Sequence, residues 1–261
     1  MANATRTAII TGAAQGVGEA IARRLAADGF SRLLLIDRQE SLLRQVAADL
    51  DGNGVATQAI SLDLTDVNTL RDVVSDVVKA AGDVHVLVNA AGTTARGGLD
   101  DIDPETFDSI FAINVRAPLF MMQTVAPHMP RGGTVVNICS MLAYGGPPFL
   151  LAYSSSKAAL AALTKGAANS VKWDGIRVFG INLGWTWTPA EQIVQTQLHG
   201  LPENWREEIG AKQPFGRLLM PEDPAALTSF LVSPEASMMT GAIIDLDQHV
   251  AGTVDDNPGN S

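Results

Sequence analysis

Short runs of β-branched and aliphatic residues alternate along the chain with longer stretches whose apolar positions recur every three or four residues. Runs of the first kind read as strands and the second as amphipathic helices, and their alternation predicts βαβ units around a parallel sheet. Residues 7–11 (TAIIT) predict strand one; Val17, Ile21 and Leu25, four apart, predict a helix that Gly29 closes. Residues 32–37 (RLLLID) predict strand two, 42–50 a helix and 55–63 strand three. Val67, Leu70, Val73, Val74, Val77 and Val78 form the apolar face of the next helix, before strand four at 84–89 (VHVLVN). Asp103 and Pro104 make an N-cap and first-turn pair for a helix running toward His128, and 134–140 (TVVNICS) predict strand five. An alanine-rich helix over 153–171, strand six at 176–182, a short helix at 225–231 and strand seven at 242–247 complete the series.

Periodicity fails between 183 and about 224, where Trp185, Trp187 and Trp205 sit among polar residues. A long irregular segment inside a regular α/β pattern predicts a substrate loop or lid rather than a second domain. The expected architecture is therefore one doubly wound α/β domain over 1–261 with a mostly parallel seven-stranded sheet. The tail from Gln248 to Ser261 has turn composition and reads as a surface segment or one lying on a neighbouring subunit.

Composition narrows the partners. The hydrophobic content of 46% is ample for a buried core, while a formal net charge of −10 with no Lys/Arg run disfavours nucleic acid. No apolar stretch approaches the ~20 residues of a membrane-spanning helix. The single cysteine, Cys139, cannot form an intrachain disulfide, and no charged-then-apolar leader precedes strand one, so the chain reads as cytoplasmic. His85, His128, His199 and His249 are not spaced as metal ligands, and no catalytic metal is expected.

Candidate chemistry begins at the junction of strand one and helix one, TGAAQGVG, with Gly12, Gln15, Gly16, Val17 and Gly18. Glycine there permits a tight turn and lets backbone N–H groups approach a pyrophosphate at the positive end of the helix dipole. Asp37 ends strand two, where a carboxylate can accept bonds from ribose hydroxyls and repel a 2′-phosphate. Ala13, Ala14 and Gln15 place no cation in the turn, so NAD is favoured over NADP although Arg38 follows. Tyr153 and Lys157 stand at i and i+4 on one helix face. A free phenol titrates near ~10, so its use as a base near neutrality needs the pKa lowered by roughly 3, about 4 kcal/mol.

Together the glycine turn, Asn89-Ala90-Ala91-Gly92 after strand four, Ser140 after strand five and Tyr153-Ser154-Ser155-Ser156-Lys157 resemble, in order and spacing, the motifs of the classical short-chain dehydrogenase/reductase family. The resemblance spans essentially the whole chain and implies a Rossmann-type fold and hydride transfer between nicotinamide and an alcohol or carbonyl compound. It implies that Tyr153 exchanges the substrate proton and Ser140 hydrogen-bonds the substrate oxygen. Lys157 would bind nicotinamide ribose while lowering the Tyr153 pKa, and Asn114 would hold a relay water. By the same resemblance, Asp63 and Leu64 contact adenine, and Asn89 with Gly92 packs beneath the cofactor. Thr186 and Thr188 belong to the loop over the nicotinamide. A homo-oligomer, dimer or tetramer, is also implied.

The chain departs from the family after strand six, where Leu183 replaces the usual proline before Gly184. That frees a backbone dihedral and restores an N–H, which loosens the expectation for Thr186 and Thr188. Cys139 alternates to the face opposite Ser140 and reads as packing. For the substrate, the tryptophan faces with Gln192, Gln195, His199 and Asn204 suggest a sugar alcohol, sugar or similar polyol, helped by Asp255, Asp256 and Asn257 if the tail reaches a neighbour's pocket. The alternative for the tryptophans is packing the lid. Met141, Leu142, Pro147, Phe149 and Leu150 would equally suit an apolar or acyl carbonyl reduced with NADPH, and a non-catalytic NAD-sensing protein would share the fold.

Overall fold

A computed structural model describes residues 5–253, so the tail positions Asp255, Asp256 and Asn257 lie outside the described residues. Among the described residues seven strands form one sheet: β1 (Thr7–Thr11), β2 (Arg32–Asp37), β3 (Ala56–Ser61), β4 (Val86–Asn89), β5 (Thr134–Ile138), β6 (Arg177–Leu183) and β7 (Ile243–Leu246). Their order is β3-β2-β1-β4-β5-β6-β7, and every neighbouring pair is parallel. After β3 the chain crosses back to lay β4 on the far side of β1, which opens the crevice at the carboxyl ends where such sheets bind ligands. The register Thr11↔Asn89 and Asn89↔Asn137 brings polar residues from three adjacent strand ends to that crevice.

Both sheet faces are covered, which is why the central strands are apolar at nearly every position. On one face α1 (Gly16–Ala27), α2 (Glu40–Gly52) and α9 (Glu222–Val232) bury Ile21, Leu25, Leu43 and Leu231 against Ile10, Leu35, Val88 and Phe179. On the other, α3 (Val67–Ala81), α5 (Ala117–Val125) and α6 (Leu151–Val171) bury Leu70, Val74, Met121 and Ala168 against Ile9, Leu34, Leu87 and Val178. Among the described residues no helix is long and apolar enough to cross a membrane.

Local chemistry sets the boundaries. Asp66 starts α3 by accepting from Asn68 and Thr69 N–H, and Asp103 starts α4 (Pro104–Phe111) by accepting from Thr106 N–H at 2.7 Å. The single helix expected toward His128 is instead broken: a π-helical turn, Ala112–Arg116, separates α4 from α5. Strands β3, β4, β5 and β7 are shorter than their apolar runs, and α6 and α9 begin two to three residues earlier than expected. The segment after β6 is not wholly irregular, since it holds α7 (Pro189–Ile193), a π-turn at Val194–Leu198 and α8 (Trp205–Gly210).

At the edge opposite the crevice, four arginines close four helix ends. Arg6 donates to Asp28 O at 3.3 Å after α1, and Arg32 to Ala81 O at 3.0 Å at the end of α3. Arg131 donates to Trp173 O at 3.1 Å beyond α6, and Arg177 to Leu231 O at 2.9 Å in the last turn of α9. Each places a cation where unsatisfied carbonyls and the negative end of the helix dipole collect.

Candidate active site

The glycine turn is shaped by close backbone approach. Gly12 has φ +68°, and a Cβ there would lie 2.7 Å from Ala91 N, while one on Gly18 would lie 2.1 Å from Gly12 O. The turn therefore packs against the segment after β4 on one side and its own helix on the other. A Cβ on Gly16 (φ +63°) would meet Thr188 Cγ2 at 3.2 Å, so the loop after β6 does come down onto the cradle. Thr188 Oγ1 accepts from Glu191 N at 3.0 Å and starts α7, whereas Thr186 Oγ1 donates to Gly184 O at 3.0 Å and its backbone pairs with Leu219. At the departure from the family, β6 runs on through Leu183, opposite Leu246, and Gly184 N donates to Leu246 O at 2.9 Å.

Gln15 precedes α1 and its amide donates to Gln39 Oε1 at 3.1 Å; Val17 packs on the core behind the turn. Asp37 is already engaged: Oδ2 accepts from Ala14 N at 3.1 Å and Oδ1 from Gln39 N at 2.9 Å. The half-buried carboxylate thus braces the glycine turn from the end of β2. Asp63 turns back on Thr65, accepting from its N at 2.9 Å and its hydroxyl at 2.8 Å, which holds its carboxyl below the usual range. Leu64 is buried beside it. Beneath the crevice Thr11 Oγ1 accepts from Ala90 N and Ala91 N, both at 3.1 Å, and Asn89 Nδ2 donates to Asn137 Oδ1 at 2.8 Å. Asn137 in turn donates to Thr164 Oγ1 at 2.9 Å, and Asn89 Oδ1 has no partner among the described residues.

At the other end, α6 and the strand ends converge. Lys157 is buried and its ammonium donates to Ile138 O at 2.8 Å; its Nζ stands 5.8 Å from the Tyr153 ring centroid. Desolvation lowers the Lys157 pKa. A Cβ on Gly92 would lie 3.4 Å from Asn114 Oδ1 and 3.5 Å from Lys157 Nζ, which places these three groups together. Asn114 sits in the π-turn, accepting from Thr93 N and donating to Thr93 O and Ser156 Oγ, each at 3.0 Å. The extra residue of a π-turn redirects a side chain locally, and here it aims Asn114 at the crevice. Ser140 caps the short turn Met141–Tyr144 through Leu142 N at 3.2 Å. Burial pushes the Tyr153 phenol up to about 12, and the Ser140 hydroxyl opposes this. Cys139 is buried and its thiol is pushed up to about 11 by burial, as suits a packing residue.

The loop tryptophans divide, Trp205 packing the lid while Trp185 keeps an exposed face at 42%. Trp205 is 1% exposed and stacks on Trp185 at 5.8 Å. Gln192 Oε1 accepts from both Trp205 Nε1 at 2.8 Å and Trp187 Nε1 at 3.1 Å, and its amide donates to Glu203. Gln195 and Trp185 both donate to Glu191, and Asn204 to Glu208. These groups hold the lid together, because indole N–H groups taken out of water need acceptors. The sequence assigned no role to Thr11, Thr93, Asn137, Ser156 and Thr164, although Thr11 opens the glycine turn and Ser156 lies in the run from Tyr153 to Lys157. Asn137, a buried polar residue after two valines in TVVNI, was a further readable signal.

Residues 12–248 match the family model described as enoyl-(acyl carrier protein) reductase. A sorbitol dehydrogenase of Cereibacter sphaeroides is 32% identical over 93% of this chain and 96% of its own. The 3-oxoacyl-[acyl-carrier-protein] reductase FabG of Thermotoga maritima is 31% identical over 93% and 96%. Among solved structures, L-sorbose reductase of Gluconobacter frateurii, complexed with NADPH and L-sorbose, superposes with a TM-score of 0.89 at 27% identity, covering 96% of this chain and 98% of that one.

Proposed function

The chain belongs to the short-chain dehydrogenase/reductase family of oxidoreductases, and on that premise we propose that it transfers a hydride between NAD and a secondary alcohol or ketone, with Tyr153 as acid/base. The observation carrying this reading is the convergence of Gly92, Asn114 and Lys157 beside Tyr153 and Ser140 at the crevice. Gly12 and Gly18 leave backbone bare at the start of α1, and Asn89 keeps an unpartnered oxygen below it, features that fit a dinucleotide. A bound nicotinamide cofactor would supply the hydride acceptor. In the oxidative direction the Tyr153 phenolate takes the hydroxyl proton as the carbonyl forms, Ser140 donates to the substrate oxygen, and Lys157 stabilises the phenolate. Asn114, held by Thr93 and Ser156, would position a water that passes the proton on beside Lys157.

Asp37 supports NAD, since its free lone pairs suit ribose hydroxyls and its charge opposes a 2′-phosphate. Arg38, whose charge acts on Asp63, and the NADPH bound by the sorbose reductase favour the second reading, NADP(H). A sugar alcohol or sugar as substrate is supported by the sorbitol and sorbose relatives. Tyr153→Phe is expected to remove nearly all turnover across a panel of polyols, cyclohexanols and hydroxyacyl thioesters. NADH affinity, read by fluorescence titration, should stay within a few-fold. Substantial residual turnover refutes Tyr153 as the acid/base, and wild-type protein that binds NADH yet oxidises nothing in the panel points to a sensor.

A further inference from the structure

We propose that the substrate of this site carries a carboxylate, received by Arg96 at the mouth of the cleft; the inference rests on the proposed dehydrogenase reading and names its substrate class. Arg96 lies in the loop after β4, and the residue next to it is fixed to the wall that leads into α6. Gly97 N donates to Phe149 O at 3.0 Å, and Gly97 pairs with Leu150, three residues before Tyr153. The Arg96 guanidinium stacks on the Phe149 ring, 4.5 Å from its centroid, and meets His199 on the lid. It therefore stands where the β4 loop, the α6 entrance and the lid come together.

Its charge is unmatched. The chain holds 28 acidic residues against 18 basic ones. The exposed guanidinium groups of Arg23, Arg24, Arg44, Arg206 and Arg217 pair with carboxylates, whereas, among the described residues, those of Arg38, Arg71, Arg116 and Arg131, like Arg96, do not. Of these, Arg96 is the one held between the α6 entrance and the lid. Among the described residues no carboxylate lies within 4.0 Å of Arg96. Asp101, five residues on, accepts from Gly98 N at 2.6 Å, and Glu191, whose charge acts on Tyr153, accepts from Trp185 and Gln195. His199 offers it only a ring nitrogen. A guanidinium plane held by stacking presents a fork that matches a carboxylate bidentately, and pre-orientation reduces the entropy lost on binding. A polyhydroxy acid would place its carboxylate there and a secondary hydroxyl at Tyr153 and Ser140. An arginine serving only as solvated surface would be indifferent to substrate charge.

The test compares initial rates for matched neutral and acidic probes, D-glucitol against D-gluconate and cyclohexanol against 3-hydroxycyclohexanecarboxylate, in wild type and Arg96→Ala. The expected result is a kcat/KM at least tenfold higher for the acid of a pair, carried mainly by KM, and a collapse of that ratio to within threefold of unity in Arg96→Ala. Melting temperature and NADH affinity, measured alongside, show whether the variant is folded. Wild-type protein that oxidises the neutral compounds as well as or better than the acids refutes the inference and leaves the proposed reaction standing. So does an acid preference that survives Arg96→Ala. Protein that binds NADH and oxidises none of these compounds nor the wider panel fails on the proposed reaction itself, and the inference falls with it.

Discussion

Replacing Lys157 by methionine separates its charge from its volume. The ammonium lies 5.8 Å from the Tyr153 ring centroid, and burial pushes the phenol up to about 12 without cofactor, a value that the positive nicotinamide ring of bound NAD would lower. At an effective dielectric of ~20, one charge at this distance is worth roughly 3 kcal/mol, or about two pH units of Tyr153 pKa. The cation favours phenolate, the form that accepts the substrate proton in oxidation. Its removal raises the pKa, and below that pKa the phenolate fraction falls tenfold for each unit of rise. Lys157→Met is thus expected to move the acid limb of kcat/KM for alcohol oxidation up by about two pH units, costing roughly 100-fold at neutral pH. The fold should survive, because the substitution removes a desolvated charge and one hydrogen bond, to Ile138 O, while methionine fills much of the same space. The pH profile of kcat/KM is the assay, with NADH affinity measured in parallel. A limb that stays in place while activity drops would mean that Lys157 acts through cofactor binding alone.

Two further substitutions probe separate parts of the molecule. Asp37→Ala removes the acceptor of Ala14 N and Gln39 N as well as the charge facing a 2′-phosphate, so NAD efficiency should fall and the NADP/NAD ratio of kcat/KM rise at least tenfold; wild type that already prefers NADP would overturn the assignment. Arg177→Ala strips Leu231 O and Thr134 Oγ1 of buried, charge-assisted donors at 2.9 and 2.7 Å, and should cost about 2–4 kcal/mol in urea unfolding. Its turnover per folded molecule should stay within twofold of wild type, and a large loss of activity would contradict the separation of the two sheet edges.

The middle of the sheet was legible because its strands are buried on both faces, so TAIIT and RLLLID need no partner to be recognised. Asn114 was legible only through the resemblance, since a π-turn inserts one residue into a 3.6-residue period and blurs the pattern that would announce it. The lid was opaque for a different reason. Its helices are five and six residues long, too short for periodicity, and Trp205 is buried against Trp185 rather than against the sheet. Spacing placed Asp37 at the strand end but could not show that Ala14 N already holds it. Nor could spacing give the direction of the Tyr153 shift, which depends on how much protein surrounds the phenol. Arg96 drew no notice in the sequence because the wall and lid that meet it are about 50 and 100 residues away along the chain.

The four arginines that close helix ends lie on the edge farthest from the crevice, before or at the starts of β1, β2, β5 and β6. Each ties a strand's entry to the exit of a helix elsewhere in the chain, so that edge works as a stitched hem. The fabric can be strengthened there without disturbing the open edge, where loops of different length and composition attach. A scaffold divided in this way lets selection revise what the protein recognises while the seam that keeps the sheet and helices together is left alone.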